Sequence, residues 1–116
     1  MKEVIVFGGS GFLGSYVADE LTRRGFDVVV ADLHESNYIH GKQKFKKVDV
    51  FNIEEISKII KTASVVYNFS AVAELEEAIE NPIRTFQVNV IGNLNILEAC
   101  KKAGSIDRFV YASSAY

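Results

Sequence analysis

The stretch FGGSGFLGS, residues 7–15, joins two different patterns. Before it lies Val4–Phe7, an unbroken apolar run bounded by glycine, which reads as a strand buried on both faces. After it, residues 12–24 place Leu13, Val17 and Leu21 at helical spacing, with Gly25 as the stop. Glycines fall at 8, 9, 11 and 14, which fits both G-x-G-x-x-G and G-x-x-G-x-x-G. A regular expression of this kind is weak alone. Between a buried strand and a helix it has a physical meaning, because glycine permits the tight turn, close approach of a diphosphate to the backbone, and close helix–strand packing. The helix N-terminus then offers unpaired N–H groups and the positive end of its dipole.

Outward from this loop the strand–helix alternation continues. Asp27–Asp32, DVVVAD, reads as a second buried strand, and residues 45–50 as a third. Asn52 is an N-cap with Glu55 as capping-box partner, ahead of a stripe of Ile53, Ile56 and Ile60. Residues 64–70, SVVYNFS, form a fourth strand. One long helix is expected from Pro82 to Ala103 with Gly104 as its stop, then a fifth strand over 108–113. On that helix Ile83, Phe86, Val90, Leu94 and Leu97 are expected to face the sheet. Val88, Ile96, Ala99, Cys100 and Ala103 are left as an unpartnered stripe. The result is one α/β domain with a parallel sheet and right-handed crossovers.

Asp32 ends the second strand 18 residues after Gly14. A carboxylate there accepts from the adenosine ribose hydroxyls and repels a 2′-phosphate. Leu33 to Asn37 include no Arg or Lys, so NAD is favoured over NADP.

Composition bounds the rest. The 116 residues are 48% hydrophobic and 24% charged, with a net charge of −2 and no basic stripe for nucleic acid. The lysines at 42, 44, 46 and 47 read as a solvated strand and loop. One cysteine and two histidines build no metal site, and Cys100 reads as a buried structural thiol. The N-terminal apolar run is too short for a signal peptide or membrane span, so a cytoplasmic protein without membrane contact is expected.

With these residues in place, the whole chain resembles the N-terminal half of an extended short-chain dehydrogenase/reductase of the NAD-dependent epimerase/dehydratase family, which acts on nucleotide sugars. The resemblance implies a Rossmann-type doubly wound sheet in the order 3-2-1-4-5, truncated after the fifth strand. It implies that Gly8, Gly11, Phe12, Leu13 and Gly14 form the family's cofactor loop, with Asp32 on the ribose. VDVFN, residues 48–52, resembles the family's D-[IV]-x-D element, so Asp49 and Val50 would hold the adenine; Asn52 stands where Asp is usual. VYNFSAVAEL, residues 66–75, resembles the fourth strand and its turn, which gives Phe69, Ser70 and Ala71 a place along the cofactor. Ala73 and Glu74 stand where some epimerases carry Lys.

NPIRTFQVNVIGN, residues 81–93, resembles the N-P…N-V-x-G-T segment, with Asn89 as the motif asparagine and Asn93 in place of Thr. Asn89 would contact the cofactor, or else merely bond backbone within a helix. YASSAY, residues 111–116, is similar to the family's S-S-A-x-V-Y-G stretch, in which the second Ser, here Ser114, binds the substrate hydroxyl that is oxidised.

The family's proton transfer belongs to a downstream Tyr-x-x-x-Lys pair. The only match, Tyr38–Lys42, lies beside the adenosine end with Gly41 inside it and is read as a decoy; Tyr116 has no partner following it. The chain is therefore expected to lack its acid–base pair and its substrate lobe, and to be catalytically incomplete. The resemblance also implies a nucleotide-sugar substrate and a homo-oligomer. A non-catalytic dinucleotide-binding or redox-sensing module stays open as an alternative. A Tyr-x-x-x-Lys motif in frame beyond Tyr116 would separate the two.

Overall fold

Five parallel strands run in the order β3-β2-β1-β4-β5 in the computed structural model, which describes residues 2–114. The strands are β1 (Glu3–Phe7), β2 (Asp27–Asp32), β3 (Gln43–Lys47), β4 (Val65–Asn68) and β5 (Arg108–Tyr111). The first two strands are apolar on both faces because helices cover both, and Val4, Ile5, Val6, Phe7, Val28 and Val30 are at most 1% exposed. On one side, α1 (Phe12–Arg23) packs Ala18 and Leu21 against Val4, Val6, Val28 and Val30. On the other, α2 (Ile53–Ile60) and α5 (Asn93–Ala103) pack Ile56, Ile60, Ile96 and Ala99 against Ile5, Phe7, Val29 and Val66.

The order reverses direction at β1, where β2 pairs on one side and β4 on the other. The carboxyl ends of β1 and β4 therefore diverge into crossovers on opposite faces of the sheet. This opens a crevice at their tips, the place where open α/β sheets bind ligands.

Several elements differ from the sequence reading, each for a local reason. The third strand spans Gln43–Lys47, not 45–50. Its ladder starts at Gln43, whose Nε2 donates to Asp19 (3.0 Å) and Thr22 (3.1 Å), and residues 48–50 leave the sheet. The fourth strand closes at Asn68 because the next turn is captured by that side chain. The fifth closes at Tyr111.

The long helix is also not uniform. Before it stand two short helices, α3 (Leu75–Glu80) and α4 (Pro82–Phe86). A π-helical turn, Gln87–Gly92, then leads into α5. Along this segment the expected faces are exchanged, except that Ala103 stays exposed. Ile96, Ala99 and Cys100 are buried, whereas Ile83, Phe86, Val90, Leu94 and Leu97 are exposed. Leu13 on α1 and Ile53 on α2 are likewise about half exposed rather than core residues. Asn52 does cap α2, its Oδ1 accepting from Glu55 N at 3.1 Å. Glu55 departs from the capping box and accepts instead from the peptide N–H of Asp49.

Candidate functional site: a dinucleotide crevice

The glycine loop is held by contacts no other residue type would permit. Gly8 has φ +73°, and a Cβ there would meet the Phe69 carbonyl carbon at 2.5 Å. A Cβ on Gly14 would collide with the Gly8 carbonyl oxygen, so only glycine lets the first turn of α1 sit on β1. The Gly11 N–H donates to Gly8 O at 3.1 Å and closes the turn.

At the start of α1 the N–H groups of Phe12, Leu13 and Gly14 have no acceptor among the described residues; the ladder begins with Ser15 N on Gly11 O. No side chain caps this helix and its first turn carries no carboxylate. Beside it, Ser10 Oγ is buried without a hydrogen-bond partner among the described residues. Three unpaired donors at the positive end of a helix dipole, above a turn with no side chains in the way, suit a diphosphate.

Asp32 is tied to this loop. One carboxylate oxygen accepts from Ser10 N at 3.1 Å and the other from Leu33 N at 2.7 Å. Each oxygen keeps a further lone pair for ligand hydroxyls.

Two clefts flank the loop. The first, of about 270 Å³, lies between Asp32, Leu33, Asp49, Val50, Phe51 and the turn after β4. Arg84 reaches in from α4 and stands over the Phe51 ring at 5.9 Å. The second, of about 520 Å³, lies between Phe12, Leu13 and Gly14 on one side and Asn68, Asn89, Asn93, Tyr111 and Ala112 on the other. Gly8, Gly11, Phe69, Ser70 and Ala71 line both and form the floor between them. Every residue expected to touch cofactor thus lines one cleft or the other. Ser114 is exposed and follows β5, three residues beyond Tyr111 on the rim of the second cleft.

Asn89 lines the second cleft, but its side-chain amide is already engaged. Its Oδ1 accepts from Val72 N at 2.7 Å and its Nδ2 donates to Val72 O at 3.1 Å. It bonds backbone, though that of the β4–α3 loop rather than of its own helix. Asn95 Nδ2 donates to Val50 O at 2.9 Å, and Asn93 pairs with Asn68. One helical segment therefore anchors the walls of both clefts. The sequence reading missed these anchors apart from Asn89; the visible signal was Asn68, a polar residue in an apolar strand.

Tyr38 and Lys42 both lie in turns of the β2–β3 connection, outside either cleft, and no helix presents them together. Tyr116 lies outside the described residues.

A glycine loop at a helix N-terminus, an acidic residue closing β2 and paired clefts at the switch point define a dinucleotide-binding α/β domain. The chain belongs to the NAD dependent epimerase/dehydratase family, whose model matches residues 4–116. It is 30% identical over 118 residues to UDP-glucose 4-epimerase of Lactobacillus helveticus, covering 97% of this chain and 36% of that protein. Among solved structures it is similar to the UDP-glucose 4-epimerase of Thermus thermophilus in complex with NAD. There the TM-score is 0.88 and identity 32%, over 97% of this chain and 37% of the other. It is also similar to UDP-glucose 4-epimerase from Brucella ovis in complex with NAD (TM-score 0.91, 26% identity, 99% and 36% covered). The chain thus spans little more than a third of these relatives. No helix among the described residues is long and apolar enough to cross a membrane.

Proposed function

We propose that this chain is the NAD-binding part of a nucleotide-sugar epimerase or dehydratase, a Rossmann domain over residues 1–116 acting in the cytoplasm as a homo-oligomer. The observation that carries the reading is the set of unpaired N–H groups of Phe12, Leu13 and Gly14 beside an Asp32 carboxylate bonded to the same loop. When bound, NAD supplies the hydride acceptor. The loop donors would take the diphosphate, Asp32 the adenosine ribose hydroxyls, and Asp49 with Val50 the adenine. Phe69, Ser70 and Ala71 would run beneath the ligand, with Asn89 holding their loop through Val72. Ser114 would bind the sugar hydroxyl at the carbon that gives up hydride.

No Tyr–Lys pair adjoins the second cleft among the described residues. The proton of that hydroxyl would therefore be taken by groups this chain does not supply, and by this reading the chain alone does not turn over nucleotide sugars. Calorimetric titration is the test: NAD should bind and NADP should bind more weakly. Preferential NADP binding would overturn the reading, and enzyme-dependent epimerisation by the pure chain would overturn its incompleteness.

A further inference from the structure

The Asn68 side chain dictates how a second amide beside it must point. Asn68 ends β4 and is 5% exposed. Its Oδ1 accepts from the Ser70 peptide N–H at 2.9 Å, and its Nδ2 donates to Asn93 Oδ1 at 2.8 Å. A peptide N–H only donates, so Asn68 must turn its oxygen to Ser70 and its NH₂ to Asn93. Asn93 must then give its own oxygen to Asn68, which turns its NH₂ away from the pair. That NH₂ has no acceptor among the described residues.

Both asparagines line the second cleft. Of the three asparagines there, Asn68 has both ends of its amide engaged and so has Asn89, which is bonded to Val72. Asn93 alone keeps two N–H donors uncommitted, on an amide whose orientation is set before any ligand arrives.

We infer that Asn93 Nδ2 donates to an acceptor oxygen of the nicotinamide mononucleotide half of the dinucleotide, in its carboxamide or its ribose. This rests on the NAD-binding reading, which places the adenosine half in the smaller cleft beside Asp32 and so leaves the larger one for the other half. A pre-oriented donor loses little freedom on binding, and the cleft wall around it is largely apolar, with Phe12, Leu13, Ala73 and Ala112.

The substitution that tests it is Asn93→Asp. It keeps an oxygen for Asn68 Nδ2 and replaces the NH₂ with a second, charged oxygen of the same shape. The full chain is titrated with NAD, AMP and nicotinamide mononucleotide. The expected result is NAD bound about tenfold more weakly or worse, nicotinamide mononucleotide binding lost, and AMP within about twofold of the parent. Unchanged NAD and mononucleotide binding overturns the inference, and so does an equal loss for all three ligands together with an unchanged melting temperature. If Asn93→Asp melts early, Asn93→Ser takes its place: NAD weakened relative to AMP supports the assignment, an unchanged ratio overturns it. A parent chain that binds none of the three ligands instead removes the NAD-binding reading, and the assignment with it.

Discussion

The carboxylate of Asp32 accepts a hydrogen bond from the backbone N–H of Ser10, 22 residues earlier, at 3.1 Å. The side chain proposed to bind the ribose is therefore also a strut of the glycine loop. Removing it is expected to loosen both. Asp32→Ala should weaken NAD about tenfold or more, since hydrogen bonds to a charged acceptor are among the stronger ones, and should narrow the gap between NAD and NADP. Calorimetry with both nucleotides checks this, and unchanged selectivity would count against the ribose assignment.

Gly14→Ala places a methyl group against the Gly8 carbonyl, where only backbone could yield. A loss of about 1–3 kcal/mol is expected in urea denaturation. Gly41→Ala is the control, since an added Cβ there meets nothing within 4 Å. It should stay within about 0.5 kcal/mol of the parent. Equal effects at the two positions would contradict the packing argument.

Burial against α2 and the sheet pushes the Cys100 thiol up from its ordinary value near 9.0 to about 11. Its thiolate is disfavoured in the folded state, so labelling by a thiol reagent at about pH 8 should be slow until the chain is unfolded. The sign of the pH effect follows. The neutral thiol leaves stability unaffected below pH 9, and stability falls between about 9 and 11 as unfolded chains ionise first. Cys100→Ala should remove that alkaline loss, as measured by melting temperature against pH. Identical alkaline profiles would mean that other groups cause it.

Phe86, Val90, Leu94 and Leu97 form an exposed apolar face along α4, the π turn and α5. A second copy of the chain is the proposed cover, and a specific dimer needs about 800 Å² from each partner. Sedimentation should detect a dimer that Leu94→Glu dissociates. A parent chain that stays monomeric across a wide concentration range would rule out this face as a self-association surface.

Much of this protein could be read locally. Period-two and period-3.6 patterns, a glycine loop between a buried strand and a helix, and an acidic residue at the end of β2 are features of neighbouring residues. Strand order and loop location follow from them through general rules of handedness and switch points. Asn52 likewise announced its cap within four residues.

What local pattern could not supply is the phase of the last helix and the partners of its asparagines. Two apolar stripes compete on that segment, and packing of Ile96, Ala99 and Cys100 against α2 and the sheet decides which one is buried. Nor does a six-residue window mark the π turn at Gln87–Gly92, because such a turn is stabilised by what it docks against. Gly92 is such a point: a Cβ there would meet Val50 Cγ2 at 2.7 Å. Asn89, Asn93 and Asn95 look alike in the sequence, yet one clamps Val72, one meets Asn68 and one holds the Val50 carbonyl. Their partners lie 17, 25 and 45 residues away, a separation that only the folded crossover closes.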